Sequence, residues 1–354
     1  MIAAAGTGGH IYPAIALADF LREKGIDVFF ITSDRGEGEI VRNHGYKCKE
    51  FPYRGFYRRF TLENFRRSIK ICLVTCKCFS LIGELKPRVV IGMGGYGQVP
   101  AVLSAKLYGI PVLIHEQDVK PGLSTRFLSF LADRITLSYE DTLSFLPRCV
   151  RKKCQVTGNP VRKSIISVVP GGFKSRWGFQ GDKKVLLAFG GSLGAKSIND
   201  VVIDLISKKK EWERTLKNWA ILLITGRRDF LRVKKRVLEI GFNSIVVLPY
   251  LEGMEKAYGA ADLVLARSGA STVAELEALG IPAILVPYPY STGNHQRYNA
   301  ELLQRKGQAI VIEDSELTSE RILEVLKMDL LRKSSMRKDA TQSVAKVVLE
   351  LARS

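Results

Sequence analysis

Short runs of apolar and β-branched residues alternate with amphipathic stretches almost from end to end. This alternation restricts the chain to parallel sheets covered by helices. Residues 27–31 (DVFFI), 88–91 (RVVI), 111–114 (PVLI) and 134–137 (RITL) read as buried strands, with helical patterns at 11–24 and 62–85 between them. A second series follows at 184–189 (KVLLAF), 221–224 (ILLI), 244–248 (SIVVL), 263–265 (LVL) and 283–286 (AILV). Between the two, residues 168–173 (VVPGGF) and 177–182 (WGFQGD) carry Pro and Gly without periodicity, so a linker is expected there. The 354 residues thus divide into two doubly wound α/β domains, 1–162 and 163–339. A last helix within 340–354 is a candidate to pack back on the first domain.

Each series opens on a strand that runs into a Gly-rich turn and then a helix. The first turn is Gly6-Thr7-Gly8-Gly9-His10, and the second runs from Gly190 through Gly191, Ser192 and Gly194. Glycine lets the backbone approach a ligand closely, and the N–H groups of a helix start attract anions. Neither turn has the GxGxxG register and following acid of a dinucleotide site. A third turn, Gly92 to Tyr96, and the polar run His115-Glu116-Gln117-Asp118 stand at further strand ends, where ligands of open α/β sheets bind. In the second half, Thr272 and Glu275 have the spacing of a capping box, and the competing reading has Glu275 accept ribose hydroxyls. His295, Gln296 and Asn299 suit either a sugar or a solvated helix face.

Taken in order, Gly6–His10, Gly94-Gly95-Tyr96, His115-Glu116-Gln117, Gly158-Asn159-Pro160-Val161-Arg162, Gly190-Gly191-Ser192, Arg267-Ser268-Gly269 with Glu275, and Gln296 with Asn299 resemble the MurG family over residues 2–313. The resemblance implies a GT-B fold, two Rossmann-like domains facing a cleft. It implies inverting transfer of GlcNAc from UDP-GlcNAc to the 4-hydroxyl of MurNAc in undecaprenyl-pyrophosphoryl-MurNAc-pentapeptide. Carried over by position, Thr7, Gly8, Gly9, Asp118, Arg162, Ser192, Leu251, Glu275, His295, Gln296 and Asn299 serve the donor. Within that set Ser192 and Arg162 lie at the diphosphate, Leu251 at the uracil and Glu275 at the ribose. Gly94, Gly95, Tyr96 and His115 serve the acceptor and its pyrophosphate, which Gly8 to His10 also face. The chain departs from the family pattern at Ala5, Gln98 and Asp118, which stand where glycine, serine and asparagine are frequent.

Inversion needs a base for the attacking hydroxyl and charge stabilisation for departing UDP. His10 is the first candidate base and Glu116 the second; the competing role for His10 is to orient lipid phosphate without moving a proton. No paired acids mark a metal site, and no metal or cofactor is expected. Rival readings are a UDP-GlcNAc 2-epimerase and a nucleotide- or RNA-binding protein.

The formal charge of +19 calls for a partner. Phe56, Arg58, Arg59, Phe60, Arg66 and Arg67 mix basic and bulky apolar residues in one segment, which fits an anionic bilayer surface better than nucleic acid. The most apolar run, 71–83, is too short and too charged to span a bilayer, and a secretory leader is not expected where a Gly-rich turn begins at Gly6. A peripheral protein on the cytoplasmic face of the inner membrane is therefore expected. The six cysteines form no CxxC pair and read as reduced thiols, with Cys72, Cys76 and Cys78 as small buried hydrophobes.

Overall fold

The computed structural model describes residues 1–6, 8–52, 62–179, 182–328, 330 and 339–353, with the backbone alone over 62–70. Two compact units emerge, one of residues 1–162 with 338–354 and one of residues 163–337.

In the first unit the chain runs β1 (Ile2–Ala3), α1 (Gly8–Glu23), β2 (Phe29–Ser33), α2 (Glu37–Asn43), β3 (Lys47–Phe51), α3 (Leu62–Leu85), β4 (Val90–Gly92), α4 (Gln98–Leu107), β5 (Val112–Glu116), α5 (Leu123–Leu128), β6 (Arg134–Leu137) and β7 (Cys154–Val156). The seven strands form one parallel sheet in the order β3-β2-β1-β4-β5-β6-β7. β1 lies between β2 and β4, with Ile2 opposite Phe30 on one side and Ile91 on the other. The winding reverses there, so the crevice beyond the carboxyl ends of β1 and β4 is the switch point where this fold binds ligands.

The second unit holds α6 (Lys163–Ile166), β8 (Lys184–Phe189), α7 (Lys196–Ser207), α8 (Glu213–Leu216), β9 (Trp219–Ile224), α9 (Phe230–Ile240), β10 (Ile245–Leu248), α10 (Glu255–Ala260), β11 (Leu263–Ala266), α11 (Ala270–Leu279), β12 (Ala283–Leu285), α12 (His295–Arg305), β13 (Ala309–Val311) and α13 (Ser319–Lys327). Its parallel order, β10-β9-β8-β11-β12-β13, puts the equivalent switch point between β8 and β11. The last helix, α14 (Ala340–Leu351), returns to the first unit.

Helices cover both faces of the first sheet. On one, Ile11, Ile15, Leu17 and Leu21 of α1 share a core with Val344, Val347, Val348 and Leu351 of α14. On the other, Val74, Cys78 and Ile82 of α3 pack with Ala101, Val102 and Ala105 of α4 and Leu128 of α5. Each aliphatic side chain buried in these layers contributes roughly 1.5–3 kcal/mol. The stripe at 74, 78 and 82 corrects the expectation for the α3 cysteines. Cys78 lies on it and is buried, whereas Cys72 and Cys76 fall on the opposite side of the helix and are exposed.

Candidate active site

At the switch point of the first unit, glycines make room for an imidazole. His10 sits on the first turn of α1, and Gly94 and Gly95 follow β4. Gly94 has φ +80°, and a Cβ placed on it would come within 2.8 Å of His10 Nε2 and 2.6 Å of Gln117 Oε1. Real Cβ atoms do not come that close, so no side chain fits at 94 without displacing the ring. The Gly94 amide donates to Gln98 Oε1 (3.2 Å), whose own amide nitrogen lies 3.5 Å from Ser124 Oγ. Gln98 is fully buried and acts as a strut for the turn.

Next along the sheet, the end of β5 carries a buried polar cluster. His115 is 0% exposed; its Nδ1 lies 3.0 Å from Thr136 Oγ1 and its Nε2 3.3 Å from Asn159 Oδ1. Burial lowers its pKa to about 4, outweighing the Asn159 hydrogen bond, with a further lowering from the charge of His10. Glu116 accepts from the backbone N–H of Asp118 (3.1 Å) and of Gly122 (3.3 Å), closing the loop between them. Burial first, and the Asp118 charge second, push its pKa up to about 8. Asn159 belongs to the segment ending in Arg162, whose guanidinium lies 4.3 Å over the Tyr12 ring of α1. Thr341 Oγ1 of α14 donates to Val161 O (3.2 Å), holding the same segment from the other side. Glu37 braces the first glycine turn: it accepts from Gly6 N (2.9 Å), Ser33 Oγ (2.7 Å) and Arg35 N (3.2 Å).

The second switch point is built from backbone. A Cβ on Gly194 (φ +78°) would strike the Thr225 carbonyl oxygen, so the turn after β8 packs directly on the one after β9. Ser192 is exposed at the tip of this turn. Across the switch point, Arg267 is locked in place. Its guanidinium pairs with Asp314 (2.6 Å), donates to Ser197 Oγ (2.9 Å) and reaches the carbonyls of Val286 and Pro287 (3.3 Å each). Glu275, 8% exposed, accepts from Tyr258 Oη at 2.8 Å. Gln296 Oε1 accepts from Tyr288 N (3.0 Å), while Ser268 Oγ donates to the Gln296 carbonyl (2.8 Å) and Asn299 Nδ2 to the Ser268 carbonyl (3.3 Å). His295 is half-buried, with Nδ1 2.8 Å from Thr292 O. Leu251 is half-buried after Tyr250, which Arg227 covers at 5.4 Å.

Several expected residues therefore meet within one unit. His10, Gly94, Gly95 and Gln117 converge at the first switch point, with Gly8 and Gly9 on the same turn of α1 and Tyr96 half-buried beside Gly95. His115 and Asn299 are expected at ligands; both are fully buried, His115 beside Thr136 and Asn159 and Asn299 donating to the Ser268 carbonyl. The capping-box reading of Thr272 and Glu275 fails, because α11 starts at Ala270 with Gly269 as its cap. Thr7, Phe56, Arg58, Arg59 and Phe60 lie outside the described residues, as do the side chains of Arg66 and Arg67. Glu37, Tyr12 and Tyr258 escaped sequence reasoning as contributors, and Asn159 stood out only as part of its motif, since each makes contacts between elements distant in sequence. Among the described residues no group of three or more His, Cys, Asp or Glu is disposed to hold a metal ion.

Comparison with known proteins decides the family. Residues 1–137 match the glycosyltransferase family 28 N-terminal domain and residues 185–352 its C-terminal domain. A UDP-N-acetylglucosamine–N-acetylmuramyl-(pentapeptide) pyrophosphoryl-undecaprenol N-acetylglucosamine transferase of Halothermothrix orenii is 38% identical over 344 residues, covering 96% of this chain and 91% of the relative. The chain belongs to the MurG family. A Thermoanaerobacter sp. (strain X514) member of the same name is 35% identical over 356 residues, covering 98% of this chain and 95% of its own. Among solved structures, MurG of Acinetobacter baumannii superposes with a TM-score of 0.73 at 28% identity, covering 99% of this chain and 98% of that one. A UDP-GlcNAc 2-epimerase of Methanocaldococcus jannaschii reaches 0.66 at 16% identity, covering 100% and 99%, and shares the fold alone. The fold of the family is the two-domain GT-B arrangement, here with parallel sheets of seven and six strands.

Proposed function

We propose that the protein is an inverting N-acetylglucosaminyltransferase that moves GlcNAc from UDP-GlcNAc to the muramyl 4-hydroxyl of a polyprenyl-pyrophosphoryl-MurNAc-pentapeptide. The observation that carries this reading is family membership across nearly the whole chain, through relatives named for this transfer. The epimerase alternative rests on fold likeness alone.

In this reading the second unit holds the donor. The N–H-rich turn from Gly190 to Gly194, with Ser192 at its tip and α7 behind it, faces the diphosphate. Leu251 meets the uracil through its backbone, and Glu275, steadied by Tyr258, takes the ribose hydroxyls. His295 and Gln296 serve the sugar, with Asn299 fixing their helix to the Ser268 loop. The first unit takes the acceptor: Gly8, Gly9, Gly94, Gly95 and Tyr96 surround its pyrophosphate and sugar.

His10 acts as the base. It takes the proton of the 4-hydroxyl as that oxygen attacks C1 from the face opposite UDP. The bond from C1 to the diphosphate oxygen breaks, and its electron pair leaves with UDP. The N–H groups of the Gly190–Gly194 turn stabilise that charge. Glu116 serves by holding the loop that carries Asp118, since both its oxygens accept loop amides.

A membrane surface fits the lipid acceptor. Among the described residues no helix is long and apolar enough to cross a membrane. The outer side of the α3, α4 and α5 layer exposes Leu73, Phe79, Leu107, Leu123, Phe127 and Phe130. An apolar surface of this kind suits a headgroup boundary. The assay that tests the whole reading measures UDP release from UDP-GlcNAc with and without a short-chain lipid-linked MurNAc-peptide. Acceptor-dependent release with a disaccharide product supports it; release without acceptor, or conversion to the 2-epimer, sinks it.

A further inference from the structure

Gln117 ends a motif shared with the family, yet nothing so far uses its side chain. It is 1% exposed, and its amide orientation is set by chemistry: Nε2 donates to the Met93 carbonyl at 3.0 Å. Turning the amide round would face one oxygen with another, so Oε1 must point the other way. There it has no hydrogen-bond partner among the described residues. A buried carbonyl oxygen left unmatched is costly and calls for an explanation.

The surroundings offer one. Gln117 Oε1 and His10 Nε2 both lie inside 3.0 Å of the same point, the place a Cβ on Gly94 would occupy. The missing side chain at 94 is what brings an amide oxygen and an imidazole nitrogen to adjacent positions.

We propose that Gln117 is a positioning residue for His10, its Oε1 accepting the Nε2–H of the imidazolium that forms during glycosyl transfer. When His10 takes the acceptor's proton both ring nitrogens carry hydrogen, and the charge on the ring makes its Nε2–H a stronger donor to the amide oxygen beside it. A side-chain amide here plays the part that asparagine or aspartate plays beside histidine in nucleophilic triads. The inference rests on the reading of His10 as base. Among the described residues, the charged and titratable groups on the elements packed around His10 include His115, Glu116 and Asp118 at and after the end of β5, Tyr96 beside Gly95, Glu37 bound to Gly6, and Arg162 over Tyr12. His115, with a pKa of about 4, stays neutral across the working range, so a shift of the profile above pH 5 does not come from its titration.

The test is the pH profile of kcat for GlcNAc transfer by full-length protein carrying Gln117→Met or Gln117→Glu. Met keeps the length and removes the acceptor. Its kcat is expected to fall about tenfold or more with the donor KM within about twofold, and the acid limb to move to lower pH. Glu keeps an oxygen and adds charge, so its acid limb moves to higher pH. In a His10→Asn background the Met substitution should add almost nothing. Loss of activity with neither variant moving the limb, or full additivity with His10→Asn, overturns the proposal. Should His10→Asn itself transfer GlcNAc at the wild-type rate, the base assignment falls instead, and the two failures are told apart.

Discussion

At the first switch point glycine makes room for side chains, and at the second it makes room for backbone. Gly94 leaves space that a histidine ring and an amide fill; Gly194 leaves space that the Thr225 carbonyl fills. The first unit surrounds its glycines with buried titratable groups, His115 and Glu116, whose pKa values burial drives apart in opposite directions. The second anchors the half-buried guanidinium of Arg267 to Asp314 and leaves an exposed turn at Ser192. On the proposed reading, one winding thus supports two kinds of site: a place to move a proton in the first unit and a rigid surface on which to lay an anion in the second.

Four changes probe this contrast, ordered by expected effect. Gly94→Ala forces the His10 ring aside at a left-handed backbone position, so kcat should fall about 100-fold while the donor KM stays within about twofold. Steady-state kinetics with both substrates reads the split, and an unchanged kcat would break the claim that Gly94 shapes the base. Gly194→Ala should do the converse. Its Cβ cannot coexist with the Thr225 oxygen, so the turn must shift, and the donor KM should rise about tenfold with a smaller change in kcat.

Third, the buried histidine makes the first unit acid-sensitive. The unfolded chain protonates His115 at its usual value of 6.5 while the folded one resists to about 4. Its contribution is therefore complete above pH 6.5 and is lost as the pH falls toward 4, on the order of 3 kcal/mol. Denaturant melts of His115→Gln should show a flatter slope than wild type over this window; equal slopes would mean the ring is solvated. Smallest is the effect of thiol alkylation. Cys72 and Cys76 should react within minutes under native conditions and Cys78 only on unfolding, with soluble-substrate turnover within about twofold, as read by mass spectrometry and assay.

The central strands of both sheets were legible in the sequence because they are buried on both faces and read as continuous apolar runs. β3, β7 and β13 were not, and all three are edge strands. Lys47, Lys49 and Glu50 give β3 a charged texture, and β7 is three residues long and partly exposed. The glycine turns announced the two switch points, since only glycine tolerates the close approaches found there. What surrounds them was hidden. Glu37 lies thirty-one positions from the Gly6 amide it accepts, and Asn159 forty-four from His115. No local pattern records such pairings. Glu275 shows the opposite error: its spacing from Thr272 mimics a helix cap, while its real partner, Tyr258, lies seventeen positions upstream on another helix.

The division of labour between the units is tested most directly by titrating UDP-GlcNAc calorimetrically into two variants and measuring kcat for each. Glu275→Ala should weaken donor binding about tenfold with kcat at saturating donor reduced far less. His10→Asn should bind the donor as wild type does and turn over at least about 100-fold more slowly. Weakened donor binding in His10→Asn, with normal binding in Glu275→Ala, would contradict the assignment of proton transfer to the first unit and donor binding to the second.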